Sequence, residues 1–127
     1  MVESKTTILV VDDEENIRLL LQRILEGAGY AVIMATNGQE ALDKVSLGNI
    51  DLILLDIKMP GLDGYQTLSL IRKNSDVSVV MVSGVGGTTP VDEALSLGVD
   101  DYVSKPFNTS VLLARVDAKL KNIKKRD

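Results

Sequence analysis

Apolar runs and amphipathic stretches alternate along the chain. Five short runs, rich in β-branched residues, read as strands: Thr7–Val11, Ala31–Ala35, Asp51–Leu55, Val77–Val82 and a shorter one at Tyr102-Val103. Nearly unbroken apolar character suits strands covered on both faces, as in a parallel sheet. Between them, apolar residues recur at helical spacing. Ile17, Leu20, Leu21, Ile24 and Leu25 form a first stripe, closed by Gly27 and Gly29. Ala41, Leu42 and Val45 mark a second helix ending near Gly48, and Tyr65, Leu68 and Ile71 a third beginning after Asp63. Val91, Ala94, Leu95 and Leu97 mark a fourth, stopped at Gly98, with Pro90 in its first turn. Val111, Leu112, Arg115, Val116 and Leu120 mark a long fifth. Five successive strand–helix units with right-handed crossovers predict an α/β fold. It is a doubly wound (βα)5 three-layer sandwich, with helices on both faces of a parallel sheet.

The polar residues at the strand ends carry the chemistry. The first strand ends in Asp12-Asp13, the third in Asp56, the fourth in Ser83 and the fifth near Ser104-Lys105, whereas the second ends in uncharged Ala35-Thr36. Open α/β sheets bind ligands beyond the carboxyl ends of strands, at the switch in strand order. The order 2-1-3-4-5 places the first and third strands together at that switch and leaves the second at the edge. One topology therefore explains which strand ends are chemical and which is not.

Composition narrows the chemistry further. The 127 residues suit one domain, residues 1–127, with a core over about 6–123 and a basic end over about 119–127. There is no Cys, His or Trp, which excludes disulfides, thiolate or imidazole metal sites and His-dependent triads. The net charge of −4 conceals a split. The last nine positions hold five basic residues and one acid, so the preceding 118 hold 9 basic against 17 acidic. An acidic body argues against direct nucleic-acid binding, and the basic end suits the last turn of a helix. No apolar run approaches the length of a membrane span and no signal-peptide pattern opens the chain, so a soluble, cytoplasmic protein without membrane insertion is expected.

Carboxylates gathered at one place repel one another unless a cation sits among them. Oxygen-only ligands suit a hard cation such as Mg²⁺. An aspartate beside that ion can be a phosphoryl-accepting nucleophile, with a lysine and a hydroxyl facing the transferring oxygens. Other phosphate motifs fail here. Gly84-Val-Gly-Gly-Thr-Thr89 lacks the Gly-Lys-Ser/Thr ending of a P-loop. Four acids after the first strand would repel a flavin phosphate. An Asp-x-Asp phosphatase would need an acid where Lys58 stands.

Four segments carry a family resemblance: Val10-Val-Asp-Asp-Glu-Glu15, Leu55-Asp-Ile-Lys-Met-Pro-Gly-Leu-Asp-Gly64, Val82-Ser-Gly84 and Asp101-Tyr-Val-Ser-Lys-Pro-Phe107. Over nearly its whole length the chain resembles the receiver domain of two-component response regulators, a flavodoxin-like fold. The resemblance implies Asp56 as phosphoacceptor, Asp12 and Asp13 as the acidic pair, with Asp13 a direct Mg²⁺ ligand and Asp12 holding a metal water, and the Lys58 backbone carbonyl as a further ligand. Mn²⁺ could replace Mg²⁺. Ser83 and Lys105 would meet the phosphoryl oxygens, and Ser83 with Tyr102 would form the switch. A cis Lys105–Pro106 bond is expected. The output surface would comprise the fourth helix, fifth strand and fifth helix. Ser83 stands where Thr is commoner in the family, which would loosen the switch. Lys58 and Val85 stand at the positions that tune phosphoryl lifetime, and they lack the acid/amide pair that would orient an attacking water, so slow autodephosphorylation is expected.

Each feature has a plainer reading. The acidic run at Asp12–Glu15 could cap a helix; Asp56 could be a turn residue, Lys105 a surface lysine, Ser83 a loop residue and Tyr102 a core aromatic. Asp51 and Asp100-Asp101 read as strand caps or solvated turns, and Asp63 as the cap of the third helix. With the strand-end residues complete, the resemblance implies a signalling module that catalyses only its own phosphorylation and dephosphorylation and is otherwise not an enzyme. Its partners would be a sensor histidine kinase or histidine phosphotransfer protein, and a downstream target or excised output domain, with a phosphorylation-linked homodimer also open. The alternatives are a phosphorylation-independent interaction module of the same fold and a Mg²⁺-dependent acyl-phosphate hydrolase.

Overall fold

A computed structural model describes residues 5–84 and 98–125, apart from the side chains of Ser83 and residues 122–125. The Val85 position, the glycine-rich stretch to Pro90 and the fourth helical stripe (Val91, Ala94, Leu95, Leu97) lie outside the described residues. The elements are β1 (Thr7–Val11), α1 (Glu15–Gly27), β2 (Ala31–Ala35), α2 (Gly38–Ser46), β3 (Leu52–Asp56), α3 (Gly64–Arg72), β4 (Ser78–Ser83), β5 (Asp101–Ser104) and α4 (Thr109–Lys125), the last being the fifth helix of the sequence pattern. All strand pairings are parallel, in the order β2-β1-β3-β4-β5.

Alternation along the strands divides the core in two. Ile8, Val10, Leu52, Leu54, Val80, Val82 and Val103 face a layer built with Leu21 and Leu25 of α1 and Leu112, Val116 and Leu120 of α4. Leu9, Val11, Ile53, Leu55, Val79 and Met81 face the opposite layer, with Ala41 of α2 and Leu68 and Ile71 of α3. β3 is buried along its whole length, as a strand between two neighbours and two helical layers must be, whereas edge strand β2 is mostly half-buried. Two apolar residues of the helical stripes, Leu20 in α1 and Val111 in α4, are exposed. Leu20 is exposed beside Leu19, because it sits about 100° around the helix from Leu21 and only flanks the buried stripe. No described helix is long and apolar enough to cross a membrane.

Local signals set the boundaries. At the end of α1, Gly29 takes a φ of 97°, Tyr30 N–H donates to the Leu25 carbonyl and Gly29 N–H to that of Glu26, the paired bonds of a left-handed helix stop. Asn37 caps α2 through Glu40 N–H (2.8 Å). Asp63 and Gln66 form a reciprocal capping box at α3. Asp63→Ala is expected to cost about 1 kcal/mol of stability, because one orphan N–H of α3 loses its acceptor; urea denaturation measures it, and an unchanged midpoint would contradict the assignment.

Two carboxylates tie strand entrances together. Asp51 accepts from Thr7 N–H (2.8 Å) while its own N–H donates to the Thr7 carbonyl (2.9 Å). Asp100 repeats the pattern on β4, accepting from Val79 N–H (2.8 Å) and donating its N–H to the Val79 carbonyl (2.8 Å). Asp51 therefore stands just outside β3, and the strand runs one residue later than its apolar pattern, ending on Asp56.

Candidate functional site

The site lies where β1 and β3 end side by side. Val11 pairs with Leu55, so the next residues, Asp12 and Asp56, stand level on adjacent strands. Both are buried, at 1% and 5% exposure, while Asp13 faces solvent. Oxygens of Asp12, Asp13 and Asp56 all lie within 4.8 Å of one another. A cleft of about 400 Å³ opens beside Asp13, lined in part by Thr36, Asn37, Pro60 and Leu62.

Lys105 reaches this group from just beyond β5. Its ammonium donates to Asp12 Oδ2 at 2.8 Å and to Asp56 Oδ1 at 3.3 Å. The preceding pairings, Asp56 with Val82 and Val82 with Val103, place Lys105 two residues past the level of Asp56, a span its long side chain bridges. The Lys105–Pro106 bond is cis.

Asp12 does two jobs. One oxygen holds Lys105, and the other accepts from Glu14 N–H (2.9 Å), shaping the entry to α1. Asp12 thus shapes the chain just before α1 without being its N-cap, which is Glu14. The Arg18 guanidinium donates to the Asp12 carbonyl (2.8 Å), a contact the sequence pattern did not single out, although Arg18 stands one helical turn into α1. Glu14 offers no side-chain cap to the helix.

Charge crowding perturbs Asp56. Burial, then the neighbouring charge of Asp12, push the Asp56 carboxyl up to about 6, against the lowering influence of Lys105. Burial works to lower the Lys105 ammonium, but the hydrogen bond and charge of Asp12, with those of Asp56, outweigh it and hold the pKa above the ordinary lysine value. One lysine therefore does not compensate three carboxylates. Oxygen-only donors of excess negative charge, one of them exposed, fit a hard divalent cation that keeps waters.

The segment after Asp56 turns back over α3. Gly64 N–H donates to the Ile57 carbonyl (2.7 Å), and a Cβ at Gly64 would stand 2.7 Å from Ile57 Cα. The next carbonyl, of Lys58, accepts no hydrogen bond among the described residues, and the Lys58 side chain is exposed. Ser83 ends β4 paired with Ser104. Tyr102 is half-buried against the α2–α3 layer, and its N–H donates to Asp101 Oδ1 (2.8 Å). Asp101 accepts from Arg115 of α4 (2.8 Å).

Comparison with known proteins agrees with this geometry. Residues 8–117 match the family model of the response regulator receiver domain. Among curated proteins, the chain is 45% identical over 120 residues to a probable transcriptional regulator, ycf27, of Cyanidium caldarium, covering 94% of this chain and 48% of that one. It is 44% identical over 114 residues to an uncharacterized transcriptional regulatory protein, YrkP, of Bacillus subtilis, covering 90% and 49%. The chain thus spans about half the length of the curated relatives it matches. Among solved structures, the receiver domain of Francisella response regulator 1452 superposes with a TM-score of 0.87 at 34% identity, covering 93% of this chain and 98% of that one. With its strand order, its strand-end residues and these likenesses in agreement, the chain belongs to the response regulator receiver domain family of two-component systems.

Proposed function

We propose that this receiver accepts a phosphoryl group on Asp56 from a phosphohistidine of a partner kinase or phosphotransfer protein. The observation that carries this reading is the Lys105 ammonium held between buried Asp12 and Asp56 beside a third carboxylate. The Asp56 oxygen attacks phosphorus, an O–P bond forms, the donor N–P bond breaks, and its electron pair returns to the imidazole nitrogen. Asp12, Asp13, Asp56 and the Lys58 carbonyl would hold Mg²⁺, which when bound supplies positive charge against the phosphoryl oxygens. Lys105 keeps its bond to Asp12 as an anchor while its contact with Asp56 Oδ1 is exchanged for a phosphoryl oxygen. Ser83 is assigned, on the family resemblance, to a second phosphoryl oxygen, and Ser83 with Tyr102 to the switch. Arg18 and the Glu14 N–H hold the Asp12 backbone and carboxylate in place throughout.

The altered surface controls a partner or an output domain. The matched relatives are about twice as long and carry transcriptional-regulator names, which favours an output domain acting on transcription. A cytoplasmic location, a phosphorylation-linked homodimer and the lack of turnover of any external substrate belong to the same proposal.

Beryllofluoride with Mg²⁺ is expected to shift the amide resonances of Asp12–Glu14, Asp56–Lys58 and Ser104-Lys105 in the wild-type protein and to leave those of Asp56→Asn in place. The same response in both proteins would overturn the reading in favour of a phosphorylation-independent interaction module. Because Lys58 supplies no acid or amide to orient water, the acyl phosphate is expected to persist for minutes or longer once the donor is removed; decay within seconds would contradict this.

A further inference from the structure

Lys105 directly follows β5, a strand of four residues at the edge of the sheet. Among the described residues, β5 pairs with β4 alone. Parallel register must nevertheless be exact to one residue, since a single slip moves every side chain by about 3.3 Å and turns it to the other face. Such a slip would carry Lys105 away from Asp12 and Asp56.

Register is set at the opposite end of the strand. Asp100, immediately before β5, binds both backbone groups of Val79: its carboxylate takes the N–H and its own N–H gives to the carbonyl, each at 2.8 Å. The same carboxylate oxygen accepts from the Arg72 guanidinium (3.3 Å). Arg72, the last residue of α3, directs its remaining donors to three backbone carbonyls: Gly98 (2.8 and 3.2 Å), Val77 (2.7 Å) and Ser75 (3.3 Å). The entrances of β4 and β5 are thus bolted to one planar group. Asp51 shows the same two-way tie between β3 and β1, five residues before Asp56, just as Asp100 lies five residues before Lys105.

We propose that Asp100, held by Arg72, is a positioning residue for Lys105: it fixes the register of β5 on β4 and so places the ammonium between Asp12 and Asp56. The proposal rests on the phosphoryl-accepting reading for its kinetic effect, not for its structural one.

The test uses Asp100→Ala, Asp100→Asn and Arg72→Met in the whole chain, with acetyl phosphate and Mg²⁺ both saturating, well below each variant's unfolding temperature. Asp100→Ala and Arg72→Met are expected to slow phosphorylation about tenfold, as ångström-scale misplacement does, while Mg²⁺ affinity changes less than about twofold because its ligands lie on β1, β3 and the segment after β3. Asp100→Asn, which still offers an acceptor to Val79 N–H, restores most of the rate. In a Lys105→Met background Asp100→Ala has no further effect, because the group it positions is gone. Wild-type rates in folded Asp100→Ala and Arg72→Met, or an undiminished effect of Asp100→Ala in the Lys105→Met background, would overturn the proposal. If the wild-type protein takes up no phosphoryl group, it is the phosphoryl-accepting reading that fails. The positioning role is then decided by amide resonances: displacement of Val103–Lys105 in Asp100→Ala with recovery in Asp100→Asn supports it, and unmoved resonances overturn it.

Discussion

Without divalent cations, Gly64→Ala is expected to lower stability by about 3 kcal/mol, at the upper end of overpacking costs. The new methyl would meet the Asp56 carbonyl oxygen, Ile57 Cα at 2.7 Å and the Asp56 carbonyl carbon at 3.1 Å. All three are backbone atoms of a strand end buried on both faces, so no rotamer change relieves the clash. Relief requires α3 to draw back, which stretches the 2.7 Å bond from Gly64 N–H to Ile57 and displaces the backbone that carries the Asp56 carboxylate. Gly27→Ala is the matched control. A Cβ there meets nothing within 4 Å, and alanine in a helix is expected to add up to about 1 kcal/mol. Denaturant melts of both variants read the difference, and equal midpoints would contradict the close approach of α3 to β3.

Asp56→Asn is expected to raise stability by about 2 kcal/mol at pH 7 in the absence of divalent cations. A carboxyl at about 6 in the folded chain against 3.8 in the unfolded one is penalised when ionised. Between those values the folded state binds more protons, so wild-type stability falls as pH rises through about 4 to 6 and stays lowered above. Below pH 4 the carboxyl is protonated in both states and the penalty is gone. The advantage of the asparagine variant is therefore full above pH 6 and vanishes below pH 4. A rise from 3.8 to about 6 corresponds to at most about 3 kcal/mol, and some is returned because asparagine bonds Lys105 less strongly than the carboxylate does. Millimolar Mg²⁺ is expected to narrow the gap by stabilising the wild-type protein. A variant less stable than wild type at pH 7, or an advantage that grows on acidification, would contradict the crowded-carboxylate description.

Much of this was legible from residue pattern because it is local or periodic. The limits of β1 and β2 coincide with their apolar runs, Gly29 and Asp63 mark where helices stop and start, and the order 2-1-3-4-5 accounts for which strand ends are polar. What escaped the pattern joins residues distant in sequence. The Arg72 knot connects positions up to 28 apart, and nothing in its neighbours distinguishes it from a solvated arginine at a helix end. Asp51 and Asp100 read as caps or turns, which they are, but their tying of neighbouring strands needs the register to be seen. Leu20 and Val111 flank the buried stripes rather than join them, because spacing alone does not locate the edge of a stripe. The anchoring of Lys105 is likewise not in the pattern: its shorter bond is to Asp12, so one member of the acidic pair also holds the lysine.

The central claim is that Asp56 takes up the phosphoryl group. The direct measurement is intact mass, followed by fragmentation, after incubation with acetyl phosphate and Mg²⁺. A single phosphoryl adduct located at Asp56, lost in Asp56→Asn and dependent on the divalent cation, is the predicted result. No adduct on the folded wild-type chain, or an adduct that survives in Asp56→Asn, would contradict it.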